Sequence, residues 1–224
     1  MAIKQAPEKP EKFHKDTFDK TTEARRQTVL SVALQQFATK GYSATNINEI
    51  AKQAHISIGA LYSYFASKED LFLTIVNSGY DLMTEILYDV AKNSTDVYDY
   101  VARMLRTCSE FATRYELLNQ LYLDITTQAL SPLAVRLSDQ LEKITPSILG
   151  GLLRSGKQSG IVRADVDERV FAYCIDNIFM MYQFSFSSNY YKERLNIYLG
   201  AAPAKGDIAA IEASILAFIR AALS

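Results

Sequence analysis

Apolar residues recur at three- and four-residue spacing along most of this chain, and that spacing predicts helices. Val29, Ala33 and Phe37 lie four apart with Leu30 and Leu34 beside them, which makes one stripe on a helix over about 23–40. Gly41 follows the last turn and suits a left-handed C-terminal cap. A new start comes at once: Asn46-Ile-Asn-Glu49 is an N-cap with an acidic residue three positions on, opening a short helix to about residue 53 or 54. Ser57 caps a third helix through Phe65, and Ser67 a fourth with Asp70 in its first turn. The helices then lengthen, to about 68–92, 95–114, 116–129, 131–158, 167–190 and 206–222. Ser131-Pro132 places proline at a first helical position, whereas Pro146 falls inside the 131–158 pattern, where a proline costs about 3 kcal/mol and kinks or divides a helix. Glycine (9) and proline (5) are otherwise scarce, so strand-and-turn punctuation is missing and the fold class is all-α.

The stretch HISIGALYSYFASKEDL, residues 55–71, departs from an ordinary core helix. Two short helices joined by a turn of three or four residues, here about 54–57, make a helix-turn-helix whose second helix enters a DNA major groove N-terminal end first. Leu61 and Phe65, four apart, share the face that packs inward. Ile58 and Tyr62 share a neighbouring face, continued by Gly59 and Ser63. Gly59 and Ala60 bring little bulk and let backbone approach base edges and phosphates. Tyr62 and Tyr64 carry hydroxyls for phosphate oxygens and rings for sugars or thymine methyls. Ser67 and Lys68 stand at the next helix N-terminus, which favours an anion.

Charge adds little to this picture. The net charge is −1; residues 1–70 hold 10 Lys/Arg against 8 Asp/Glu, +2, and residues 71–224 hold 14 against 17, −3. The sign suits DNA at the front of the chain, but the motif has to carry the inference. Residues 1–20 read as an arm. Pro7, Pro10 and mixed charges favour a mostly solvated tail, with Phe13 and Phe18 as its two residues large enough to dock. Cys108 and Cys174 are isolated, without disulfide or metal spacing, and fit free thiols in a reducing cytoplasm. No apolar stretch is long enough for a membrane span, so no membrane partner is expected. With two histidines, His14 and His55, no metal cluster and no phosphate loop, the inventory argues against an enzyme and calls for no cofactor.

From Arg26 to Leu71 the chain resembles the tetracycline-repressor (TetR) family of bacterial regulators. The resemblance rests on Val29-Leu30, Ala33, Phe37 and Gly41-Tyr42, then TNINEIA at 45–51, then SIGALYSYFASKEDL at 57–71. The spacing holds over about a fifth of the chain without a gap. The family's Thr-Thr appears as Thr45-Asn46, its Tyr-x-His/Tyr-Phe as Tyr62-Ser63-Tyr64-Phe65, and its Ser/Asn-Lys-Glu-x-Leu as Ser67-Lys68-Glu69-Asp70-Leu71. One departure is His55, where the family has glycine; that position calls for a left-handed backbone, which histidine tolerates less well. The resemblance implies that Thr45, Tyr64 and Lys68 contact phosphates and that Ile58, Gly59, Ala60, Tyr62 and Ser63 lie nearest base edges, with the capping residues Asn46 and Ser57 beside them. This set is poor in Arg and Asn, the usual bidentate readers, so shape, water, apolar contacts, or Asn48 and Lys52 of the preceding helix have to supply specificity. Arg25, Arg26 and the arm lysines are candidate electrostatic contacts.

The resemblance divides the chain into an arm (1–20), a helix-turn-helix domain (21–72) and a ligand-binding and dimerisation domain (73–224). It also implies a homodimer that binds a palindromic double-stranded DNA operator, as a repressor released by a small hydrophobic or aromatic ligand. The residues agree in part. Leu137, Leu141, Ile148 and Leu152 line one side of the 131–158 pattern. The 167–190 pattern is apolar nearly all round, so Phe171, Cys174, Ile178 and Met181 are candidates for a partner subunit to cover. Eleven of the fourteen tyrosines lie from Tyr80 onward. Tyr100, Met104, Phe111, Tyr115, Tyr122, Tyr173, Phe179 and Tyr182 are candidates to line an aromatic pocket, though aromatics at helical spacing are more often plain core. A carboxylate among them (Glu110, Asp124 or Asp176) suits a cationic lipophile; without one, an acyl or neutral aromatic ligand fits better. The alternative function is an architectural or interaction factor of the same fold that answers to no small molecule.

Overall fold

The computed structural model describes residues 11–126, 133, 143–204 and 206–224. Among the described residues the chain is all-α, with eleven helices. They are α1 (Asp16–Asp19), α2 (Glu23–Ala44), α3 (Ile47–Gln53), α4 (Ile58–Tyr64), α5 (Lys68–Asn93), α6 (Val97–Arg114), α7 (Glu116–Ile125), α8 (Ile144–Ser159), α9 (Glu168–Phe184), α10 (Asn189–Leu199) and α11 (Asp207–Leu223). None is long and apolar enough to cross a membrane.

The described residues divide into two compact units. One takes in the residues up to 83 with 120–126 and Leu133, and the other takes in 84–119 with the residues from 143 onward. The first is built on α2, where Val29, Ala33 and Phe37 are wholly buried as the four-residue stripe requires. Gly41 breaks that helix at φ 76°, ψ 162°, a conformation that a side chain resists. Phe37, Tyr42 and Phe72 close round one another, ring centroids 5.0–6.0 Å apart.

Residues 11–20 are mostly exposed, as their composition suggests, but they are not a free tail. Phe13 and Phe18 are buried, and α1 packs on α4. Phe18 meets Tyr64 and Phe65 at 5.3 and 4.8 Å, and two aromatic contacts of that kind outweigh what a short polar arm gains from hydration.

In the second unit α6 is the centre, flanked by α8, α9 and α11. Its inward face, Tyr100, Val101, Met104, Leu105, Cys108 and Phe111, is buried. Asp96 caps it by accepting from the Tyr98 and Asp99 amides at 2.8 and 2.9 Å. α8 opens at Ile144, so the 131–158 pattern is divided beside Pro146, one of the two outcomes expected of that proline. Pro146 is its third residue, in the first turn, where a missing N–H breaks no intrahelical bond. The expected start at Ser131-Pro132 lies outside the described residues. The 167–190 pattern is also two helices, not one. α9 ends at Phe184, whose carbonyl accepts the Ser187 and Ser188 amides at 3.2 and 2.9 Å, and α10 begins after Ser188.

Candidate nucleic-acid interface

The two short helices of the motif are set by side-chain caps. Asn46 Oδ1 accepts the Asn48 amide at 2.8 Å at the start of α3, and Ser57 Oγ accepts the Ala60 amide at 3.0 Å at the start of α4. Between them His55 takes φ 54° and is, among the described residues, the one non-glycine at positive φ. The Ile56 amide reaches back to Ala51 O at 3.0 Å and the His55 amide to Lys52 O at 3.2 Å, which closes the end of α3. Histidine thus occupies the left-handed position without glycine's freedom.

α4 sorts its residues by face as the wheel requires. Leu61, Tyr64 and Phe65 are buried, whereas Ile58 and Tyr62 stand 44% and 48% exposed, with Gly59 and Ser63 beside them. Ala60 is half-buried, and Asn48 and Lys52 of α3 are exposed. A Cβ at Gly59 would meet nothing nearer than Ser57 Oγ at 4.0 Å. The fold therefore has no internal need for glycine here, although glycine in a helix costs about 1 kcal/mol against alanine. A residue without bulk on an outward face suits the close approach of a second molecule.

Other expected contact residues are turned inward. Thr45 is buried, its hydroxyl donating to Gln36 O and Gly41 O at 3.1 and 2.8 Å. Tyr64 packs against Phe18 and Phe65. The Lys68 ammonium donates to Tyr42 O, Thr45 O and Ser43 O at 2.9, 3.2 and 3.3 Å and stands 4.7 Å above the Tyr42 ring. It thus caps the carbonyl end of α2. Arg26 is likewise committed, to Asp19 O at 2.7 Å, Thr21 O at 2.5 Å and Glu23. Arg25 is exposed. The contacts missed in the sequence are those of residues 15–18, whose one signal was the pair Phe13 and Phe18 in a polar arm.

Residues 29–75 match the family model for bacterial regulatory proteins, tetR family. That segment is a TetR-family DNA-binding domain. An HTH-type transcriptional regulator of Bacillus subtilis, YuxN, is 47% identical over 57 residues, 25% of this chain and 20% of that protein. The matched segment spans 20–27% of the length of the first curated relatives. Among solved structures, a TetR family regulator from Chloroflexus aurantiacus superposes with TM-score 0.69 at 19% identity, covering 94% of this chain and 98% of that one. FadR from B. subtilis, in complex with stearoyl-CoA, superposes with TM-score 0.66 at 20% identity, covering 88% and 99%. At these identities the superpositions show a shared fold.

The candidates for pocket and dimer sort differently in the structure. Tyr100, Met104, Phe111, Phe179 and Tyr182 are buried in the second unit. Tyr115 is half-buried against Phe111, and Tyr122 belongs to the other unit. Tyr173 is 70% exposed on the outer face of α9, so it lines no interior. Two half-buried carboxylates stand beside this group: Asp176 of α9, close enough to influence Tyr100 and Cys108, and Glu212 of α11, which accepts from Tyr182 and Ser109 at 3.2 and 3.0 Å. Burial first, then these carboxylates, push the Tyr100, Tyr182 and Cys108 protons well above their ordinary pKa values. An apolar groove of about 1150 Å³ lies among α9, α10 and α11, lined by residues such as Ile178, Leu195, Tyr198, Ile211, Ile215 and Phe218; apart from Ile178 it uses none of the expected residues.

Of the dimer candidates, Leu137 and Leu141 lie outside the described residues. Ile148 and Leu152 are buried inside their own unit and are not free to meet a partner. Phe171 and Ile178 are half-buried, and Cys174 and Met181 are exposed. They share the outer side of α9 with Val170 and Tyr173, and Phe218 of α11 is 66% exposed.

Proposed function

We propose that this protein is a DNA-binding transcriptional regulator, a repressor that binds a palindromic operator as a homodimer and is released by a small hydrophobic or aromatic ligand. The outward face of α4 carries this conclusion. A capped seven-residue helix buries Leu61 and Tyr64 and presents Ile58, Gly59 and Tyr62, with no packing reason for the glycine. Tyr62, Ile58 and Ser63 touch bases, sugars and methyl groups, and Asn48 and Lys52 of α3 flank them. We place Thr45, Tyr64 and Lys68 behind this surface as its support. Asn46 and Ser57 set the N-termini of the two helices there.

The homodimer rests on the exposed apolar residues of α9 and α11, which form a patch of the kind that monomers seldom leave in water. Two such heads about 34–36 Å apart read half-sites one helical turn apart. The ligand reading rests on the core round Tyr100. That hydroxyl is fully buried and has no hydrogen-bond partner among the described residues, a costly state that a polar ligand atom relieves. The ligand then favours a conformation unfit for the operator and lowers DNA affinity by the ratio of its two affinities. Acyl-coenzyme A thioesters are the first ligands to try, because the FadR neighbour holds stearoyl-CoA. Lipophilic cations come second, because Asp176 lies near Tyr100. We place the protein in the cytoplasm with the DNA.

Selection of a random duplex pool by the full-length protein at about 0.15 M salt tests this. Enrichment of a palindrome is expected. Retention of duplexes without any common sequence refutes the operator reading. A recovered operator that no acyl thioester or lipophilic cation releases favours the architectural alternative.

A further inference from the structure

α4 has a problem at its C-terminal end. A helix of seven residues is too short to hold itself, and its last four carbonyls have no partner within it. Helices commonly solve this with a glycine in the left-handed conformation, but Phe65, which follows α4, is extended at φ −128°, and no basic residue lies in the last turn. Leu61 O takes the Phe65 amide at 3.0 Å. The other three carbonyls are served from one place in the chain. Tyr62 O accepts from Lys15 Nζ at 2.9 Å, Ser63 O from the Thr17 hydroxyl, and Tyr64 O from the Lys15 amide at 2.8 Å. Phe18 fills the space beneath, against Tyr64 and Phe65.

The serving segment is itself fastened. Asn77 of α5 donates to Glu11 O at 2.7 Å, and Phe13 is buried. Lys12 binds both Asp16 and Asp19 at 2.6 Å, His14 meets Asp19 at 2.7 Å, and Arg26 of α2 holds Asp19 O at 2.7 Å. Residues 11–18 therefore run as a strap from α5 to the end of α4. The direction in which a short helix points follows from what holds its two ends. Ser57 and the His55 turn fix the first, and the strap fixes the second.

We propose that Lys15 and Thr17 are positioning residues for the recognition helix, so that discrimination among DNA sequences depends on a strap more than forty residues before α4. This rests on the operator reading above. The strap touches the carbonyl end of α4, away from the N-terminal end offered to bases, and acts through the pose of Ile58 and Tyr62. A wrongly posed helix still meets phosphates but no longer matches base edges, so specific binding falls and non-specific binding survives.

The test uses the full-length protein with two duplexes of equal length, the sequence that wild type enriches from a random pool and a random sequence. Thr17→Val removes one donor without changing charge or size much. Lys15→Met removes another and keeps the stem. Thr17→Ser restores the hydroxyl. The double variant Lys15→Met/Thr17→Val is expected to narrow the ratio of the two Kd values by about two- to threefold, because both bonds are exposed and water replaces much of what they contribute. Thr17→Val alone narrows it in part, with random-duplex affinity and salt slope unchanged, and Thr17→Ser keeps the wild-type ratio. In the free protein, amide exchange quickens in α4 and not in α6 or α9. Faster exchange in α4 with an unchanged Kd ratio makes the strap merely structural and overturns the proposal. So does Lys15→Met weakening both duplexes alike with a salt slope smaller by about 1, which marks a phosphate contact. If wild type enriches no sequence, the operator reading itself has failed, and this shows before any strap variant is made.

Discussion

Substitution of Lys68 by methionine separates two roles that the sequence alone cannot. By family resemblance Lys68 is a phosphate contact; in the structure it spends its ammonium on the carbonyls of Tyr42, Ser43 and Thr45. Methionine keeps the aliphatic stem and loses only the charge and the donors. The bonds to Tyr42 O and Thr45 O are part-buried, and the one to Ser43 O is exposed, where water replaces it. Two part-shielded bonds from a charged donor are worth about 1 kcal/mol each after solvent competition, and the cation above the Tyr42 ring adds about 0.5 kcal/mol. The expected loss is therefore about 2.5 kcal/mol. A urea titration followed by circular dichroism reads it as a lower midpoint with an unchanged slope for the transition of the DNA-binding unit. DNA affinity measured from 50 to 200 mM salt should keep its wild-type slope, because no phosphate has lost a partner. An unchanged urea midpoint with a salt slope reduced by about 1 refutes the capping role and returns Lys68 to the phosphates.

Four further expectations follow from the same geometry. Tyr62→Ala should cost about 1–3 kcal/mol on the enriched palindrome and little on random duplex, measured by competition; equal losses on both would make Tyr62 a backbone contact. Gly41→Ala and His55→Gly should move stability in opposite directions in thermal melts, the first down by about 1–3 kcal/mol because of its φ of 76° and ψ of 162°, the second up by about 0.5–1 kcal/mol because glycine relieves the left-handed turn. Cys174, exposed, should react with a maleimide while Cys108, buried and with its thiol proton held tightly, reacts only in denaturant; mass spectrometry of the labelled chain decides, and equal rates would contradict the packing round α6. On the homodimer proposed above, Tyr173→Glu, on the outer face of α9, should leave a folded chain that sediments as a monomer at concentrations where wild type is expected to dimerise, whereas a dimer unchanged by the substitution would move the interface elsewhere.

The motif was legible because its signals are local. Asn46 and Ser57 stand at helix starts whatever the rest of the chain does, and the family resemblance, with its glycine there, puts the left-handed demand on His55. The strap was not legible, because α1 is a single turn with no periodicity to detect, and its partners lie in α4 and α5. Lys68 misled for a related reason: a lysine at a helix start serves a phosphate or a neighbouring carbonyl equally well, and only the fold brings the end of α2 to it. The break after Phe184 is hidden because serines end the helix there, without the glycine or proline that would have marked it. The pocket residues show the limit of helical spacing. Ala172 is buried and Tyr173 is exposed, one residue and about 100° apart on the same helix, and the sequence cannot say which angle faces inward where both sides are apolar.

On the function proposed above, α4 reads DNA without arginine or asparagine, so specificity is left to geometry, to apolar contacts and to Asn48 and Lys52 of α3. A bidentate arginine finds its guanine through a long flexible side chain and forgives a misplaced backbone. Ile58, Gly59 and Ser63 are short and Tyr62 is rigid, so an error in the pose of α4 passes undiminished to the DNA surface. The structure spends its polar side chains accordingly: Asn46 and Ser57 at the N-termini, Thr45 and Lys68 on the carbonyls of α2, Lys15 and Thr17 on those of α4. These side chains are spent on backbone groups that fix where the apolar ones stand. A helix held in this way reads contour more than hydrogen-bond pattern, and the substitutions that most change its sequence preference should then lie beneath α4, among Lys15, Thr17 and Phe18, as well as on its face.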